Sequence, residues 1–164
     1  MTIALAQIAK ARSGGIKIPV RAYRASKKAG VPFYVTASLL MQESSGGLNV
    51  WGSDPTIFVG RGAVTKANYA EYKRERIASG NRLMQGCGPV QLTYYSIQDK
   101  ADAQGGCWRP YVNLLTGLQI LAGYYNTYGN WVDAARRYNG SGPAADAYAA
   151  QMAQRYTEWQ RKLA

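Results

Sequence analysis

Glu43 is the first acidic residue of the chain. Seven cations precede it (Lys10, Arg12, Lys17, Arg21, Arg24, Lys27 and Lys28) with no Asp or Glu among them. It stands in "LLMQESSGG", behind an apolar run and ahead of a glycine pair. A carboxyl group at the edge of a core either pairs with a cation and holds the fold, or keeps its proton toward neutral pH and can deliver it. Cleaving a glycosidic bond calls for the second behaviour, because the leaving oxygen must be protonated. Asp54 in "WGSDP", eleven residues further on, is the other candidate carboxylate. It can stabilise an oxocarbenium ion or position water, and equally an Asp before Pro is an ordinary turn residue.

Composition narrows the chemistry. The chain has no His, which removes the usual general base, Ser-His and Cys-His pairs and His-based metal sites together. Cys87 and Cys107, its two cysteines, cannot build a zinc site alone, and neither a cofactor nor a metal is expected. Whether they pair depends on the fold bringing them together, which spacing leaves open. The net charge of +11 attracts nucleic acid, an anionic membrane face or an anionic cell wall, with strong salt dependence. A basic domain with no polyanion partner is the plain alternative. Thirteen Tyr and four Trp against two Phe favour side chains with a polar handle, which suit a groove better than a dry core.

The elements that must position Glu43 read mostly as helices. Thr2–Ala11 and Pro19–Ala29 form short helices separated by "RSGG", the second ended by Gly30. Pro32 opens the next, "VPFYVTASLLMQESS", a mostly buried helix with Glu43 in its last turn. There the negative end of the helix dipole and apolar neighbours both raise a carboxyl pKa. From Gly46 to Gly62, Gly, Asn, Asp and Pro punctuate β-branched and aromatic runs, and an irregular β-hairpin or loop lobe is expected. Helices follow at Lys66–Ala78 with Thr65 as N-cap, at Tyr95–Ala103 after a glycine-broken turn, and at Asn130–Tyr138. A last amphipathic helix runs from Ala144 to about Lys162. "VNLLTGLQILAGYYNTYG" carries Leu114, Leu118, Leu121 and Tyr125 at helical spacing and is the central-helix candidate. The expectation is one α+β domain of 164 residues, dominated by helices. No apolar run approaches the ~20 residues that span a bilayer, and the N-terminal stretch is a poor signal peptide.

Three short stretches occur in an order that carries a resemblance. "QES" at Gln42–Ser44, "GPVQLT" at Gly88–Thr93 and "RRYN" ending at Asn139 resemble the soluble lytic transglycosylase and goose-type lysozyme superfamily. The likeness is closer to the lysozyme-like domain of endolysins from phages of actinobacteria. It runs through Glu43 to Pro55, Val64 to Asn68, Gly88 to Tyr94 and Tyr138 to Gly142, within about Val35 to Pro143. The resemblance implies a lysozyme-like fold, with a small hairpin lobe beside a helical lobe around a sugar cleft. It implies that Glu43 is the general acid and that Ser44 holds the peptide or sugar side of the cleft. Gly88 and Gln91, with Tyr94 nearby, would bind the acetamido sugar. Tyr138 would hydrogen-bond and orient Glu43, with Asn139 on the same wall. Gly88 as a mere turn residue and Tyr138 as a core aromatic are the plain alternatives.

One departure bears on mechanism. Where goose-type enzymes can carry an Asp two residues after the Gln, this chain has Thr93, leaving Thr93 and Asp54 as the remaining catalytic candidates. The sequence therefore does not separate hydrolysis from transglycosylation. The implied substrate is the MurNAc–GlcNAc β-1,4 bond of peptidoglycan, with glycan strands and the anionic wall as partners. No specific nucleic-acid partner is expected, nor a transmembrane segment, and the protein is expected to be monomeric. The resemblance implies a protein made in the host cytoplasm without a signal peptide and released to the wall through a holin. The rival from another class is a non-catalytic module that binds wall polymer or nucleic acid through its charge and tyrosines.

Overall fold

Proline and glycine set most of the helix boundaries, as their backbone chemistry requires. In the computed structural model, which describes residues 2–53 and 62–164, eight helices are seen among the described residues. These are α1 (Ile3–Ser13), α2 (Pro19–Ala29), α3 (Phe33–Ser44), α4 (Lys66–Ala78), α5 (Tyr95–Ala103), α6 (Pro110–Tyr128), α7 (Trp131–Asn139) and α8 (Pro143–Leu163). Pro19, Pro110 and Pro143 occupy first-turn positions where a missing N–H costs nothing. Gly30 and Gly129 close α2 and α6 in the left-handed region, at φ 70° and 77°. Thr65 caps α4 reciprocally: its hydroxyl accepts from the Asn68 N–H at 3.2 Å, and the Asn68 side chain accepts from the Thr65 N–H at 2.8 Å.

The core is built around α6 and α3. Leu114, Leu118 and Leu121 of α6 are fully buried, and Tyr125, fourth in that stripe, stacks on Trp131 with ring centroids 4.1 Å apart. Helix α6 packs on α2, α5 and α7, while α8 packs on α3, α7 and α1. Helix α3 is enclosed, with every residue from Val35 to Leu40 inaccessible to water. Its last turn is thereby fixed in place, and Glu43 with it. No helix among the described residues is long and apolar enough to cross a membrane.

The expectation of a mainly helical chain holds; of the irregular hairpin or loop lobe expected over 46–62, the structure describes residues 46–53 and 62. Among the described residues, β pairing is confined to the isolated bridges Val50–Ala63, Trp51–Cys87 and Cys87–Leu92. The reason is that the segment changes partner within a few residues. The Val64 and Trp51 N–H groups donate to the Asn49 and Gly62 carbonyls, and Gly52 then donates to Gly86 at 2.7 Å. Among the described residues no partner is kept long enough to extend a ladder. Residues 54–61, Asp54 among them, lie outside the described residues.

Candidate active site

The glycine pair after Glu43 has a steric cause. Ser45 caps α3 in the left-handed region at φ 52°, and Gly46 and Gly47 follow at 98° and 99°. A Cβ on Gly46 would lie 2.3 Å from the Gly15 carbonyl oxygen, and one on Gly47 would lie 2.8 Å from the Ile18 side chain. The chain turns sharply there and packs on the α1–α2 connection, where the Lys17 N–H donates to the Gly46 carbonyl at 2.8 Å. Glu43 is thus held at a helix end that cannot extend.

Helix α8 clasps that end through one face. Tyr148, Gln151 and Arg155 stand at the i, i+3, i+7 spacing that aligns side chains along a helix. The Tyr148 hydroxyl donates to Glu43 Oε1. The Gln42 side chain donates to Gln151 at 2.8 Å and accepts from Arg155 Nε at 2.7 Å. Burial raises the Glu43 carboxyl from the ordinary 4.5 to about 7, and the Tyr148 hydrogen bond opposes part of that rise. Burial, followed by the Glu43 charge, also pushes the Tyr148 hydroxyl well up, so it stays neutral and donating.

A tight loop pinned to α6 lies beside the end of α3. Cys87 and Leu92 exchange backbone hydrogen bonds at 3.2 and 3.0 Å, closing residues 87–92 into a turn. Asn113, fully buried on α6, donates to the carbonyls of Cys87 and Cys107 at 3.0 and 3.3 Å and accepts from the Val90 N–H at 3.3 Å. Gly88, at φ 82°, is required twice over, because a Cβ there would lie 2.4 Å from the Asn113 side chain. Gly117 on α6 admits Val90 and Tyr138: its Cβ would fall 2.5 Å from Val90 Cγ2 and 3.0 Å from the Tyr138 hydroxyl. Beside this turn, Cys87 and Cys107 are buried free thiols with their Sγ atoms 3.6 Å apart.

Glu43 and this turn border a groove of about 1190 Å³. It gathers Glu43, Gln91, Thr93, Tyr94, Tyr138 and Asn139 from residues far apart in sequence, together with Ser53, Lys100, Tyr124 and Arg137. Among the described lining residues Glu43 is the one carboxylate. Ser44 and Gly88 do not line it. The Ser44 hydroxyl is buried and donates to the Pro89 carbonyl at 2.6 Å, tying α3 to the turn. Both amide hydrogens of Gln91, itself left-handed at φ 50°, go to the carbonyls of Val50 and Gly88 at 3.0 and 2.9 Å. Its remaining hydrogen-bonding atom is the amide oxygen. Thr93 donates to the Gln91 carbonyl at 3.1 Å, and Tyr94, well exposed, stacks on Tyr95.

The expected partner of Glu43 needs correction. The Tyr138 hydroxyl donates to the Val90 carbonyl at 2.8 Å, and Tyr148 holds Glu43 instead. Tyr138 is close enough for the Glu43 charge to add to the burial that raises its own pKa. It therefore lines the groove without fixing the carboxyl. Sequence reasoning missed Tyr148 and Asn113. For Asn113 a signal existed, an amide inside the apolar "VNLL" run. For Tyr148, one tyrosine among thirteen, none did. No family model matches the chain, and neither a curated protein nor a solved structure matches it.

Proposed function

We propose that this protein is a glycosidase of bacterial peptidoglycan, cleaving the MurNAc–GlcNAc β-1,4 bond with Glu43 as general acid. The observation that carries the reading is Glu43 itself, a partly buried carboxyl that titrates near pH 7, held by Tyr148 beside a long groove. A carboxyl with that pKa is about half protonated at neutral pH, where an ordinary one has lost its proton. The groove exceeds the usual size of a drug-sized pocket and suits a run of sugar rings. Its lining of tyrosines with Gln91, Thr93 and Asn139 is of the kind that binds sugar hydroxyl and acetamido groups.

In the mechanism the Glu43 proton passes to the glycosidic oxygen as the C–O bond breaks and positive charge grows on the muramic ring. The resulting carboxylate then takes a proton from the attacking nucleophile, restoring the acid. Water as nucleophile makes the protein a muramidase, with Asp54 or Thr93 positioning it. The muramic 6-hydroxyl makes it a lytic transglycosylase, leaving a 1,6-anhydro end. The second reading draws on Glu43 being the one carboxylate among the described lining residues, since the tethered 6-hydroxyl needs no second group to position it as a water does. A lysozyme-like arrangement of two lobes and the role of a phage endolysin belong to the same proposal, with the net charge of +11 concentrating the protein on an anionic envelope. Turbidity of purified cell walls tests it. Wild type clears them and Glu43→Gln does not; equal clearing by both removes Glu43 from the chemistry. Retention on walls without clearing by either protein favours a binding module.

A further inference from the structure

The cations are unevenly placed. Seven of the twenty Lys and Arg residues lie in the first 28 positions, where there is no Asp or Glu. All seven are exposed, and among the described residues none takes part in an ion pair. At 100° per residue, Val20, Arg21, Arg24, Lys27 and Lys28 of α2 fall within an arc of about 120°. Ala22, Ala25 and Ser26 are buried on its other side. Helix α1 packs on α2 and adds Lys10 and Arg12, with Lys17 on the turn between them. Large apolar side chains stand in water beside these charges: Val20, 46% exposed, lies within the α2 arc, while on α1 Ile3 (79%) stands beside Lys10 and Leu5 (57%) beside Arg12, on opposite flanks about 160° apart. No residue of α1 or α2 lines the groove that holds Glu43.

Each polyanion uses such a surface differently. Single-stranded nucleic acid takes up the cations but stacks its bases on aromatic rings, and the large exposed side chains here are aliphatic. An anionic wall polymer takes up the cations and gives the aliphatic groups nothing to enter. An anionic phospholipid surface uses both, since Lys and Arg settle among the headgroups while aliphatic side chains sink to the acyl boundary. We propose that the exposed arc of α2, with the flank of α1 that adjoins it, docks on the surface of an anionic phospholipid bilayer without crossing it. This site is independent of the groove and of the reading given to Glu43.

Co-sedimentation of the full chain with vesicles tests the proposal, using equimolar phosphatidylglycerol and phosphatidylcholine against phosphatidylcholine alone. Wild type sediments with the anionic vesicles at low salt and stays in solution with the neutral ones. Neutralising three exposed cations in Arg21→Gln/Arg24→Gln/Lys28→Gln lowers the partition coefficient about 100-fold. Ile3→Ser/Leu5→Ser lowers it by about tenfold or more, and Arg21→Lys/Arg24→Lys leaves it unchanged. Thermal unfolding confirms that each variant is folded, and the conservative Lys variant guards against a merely structural loss. Binding by the triple variant equal to wild type overturns the proposal. So does undiminished binding by Ile3→Ser/Leu5→Ser, which would reduce the contact to charge and favour a polymer. Glu43→Gln binds vesicles like wild type, so failure here leaves the glycosidase reading standing, and loss of that reading leaves this one standing.

Discussion

Replacing Glu43 by Gln is expected to stabilise the protein at alkaline pH and not at acid pH. Burial raises the folded-state carboxyl from the ordinary 4.5 to about 7. Between those values the folded protein holds a proton that the unfolded chain has released. Wild-type stability therefore falls as pH rises through that window and levels off above it. At about 1.4 kcal/mol per pH unit the interval corresponds to roughly 3 kcal/mol; Glu43 keeps some contact with water, so roughly 2–3 kcal/mol is expected. Gln does not titrate and carries no such slope. Urea unfolding of both proteins at pH 4.5, 6 and 8 measures the difference directly. The stability of Glu43→Gln relative to wild type should rise by that amount from the first pH to the last. A difference that stays constant with pH refutes the buried-acid account. A difference that falls with pH means that Glu43 is a structural carboxylate paired with a cation.

Three further outcomes follow from the same contacts. Tyr148→Phe removes the one hydrogen bond that lowers the Glu43 pKa, so the alkaline limb of the pH–activity profile moves up by roughly one pH unit or more; an unmoved limb counts against Tyr148 as the partner. Gly117→Ala places a Cβ 2.5 Å from Val90 Cγ2 and should cost about 1–3 kcal/mol in urea unfolding, whereas a neutral result means that the Val90 turn is free to shift. Cys87 and Cys107, with Sγ atoms 3.6 Å apart, should join when treated with a small disulfide oxidant. Thiol titration in denaturant would then fall from two groups to none, and two persistent thiols would show that burial blocks the exchange.

What could be read from the sequence divides along physical lines. Boundaries set by local chemistry were legible: Pro19 and Gly30 around α2, the Thr65 cap of α4, and the extent of α5 all stand where expected. The position of Glu43 at the end of a buried helix was legible too, because the apolar run and the glycine pair report on the chain beside it. The contact that holds its carboxyl was not. Tyr148 is 105 residues away, and nothing near it distinguishes it from Tyr138, the tyrosine expected in that place. Each is an aromatic on a helix, Tyr148 buried and Tyr138 partly so, and only the packing of α8 on α3 decides which hydroxyl reaches Glu43. The turn at 87–92 gives the same lesson in reverse. "GPVQLT" marks a turn, but its dependence on Asn113 of α6 appears only when the two are brought together.

Mass spectrometry of the soluble products from purified peptidoglycan tests the central claim most directly. Wild type should release glycan fragments with new muramic ends, reducing if water attacks and 1,6-anhydro, one water lighter, if the 6-hydroxyl attacks. Glu43→Gln should release neither. Intact glycan strands after treatment with wild type, or the same fragments from both proteins, would contradict the account.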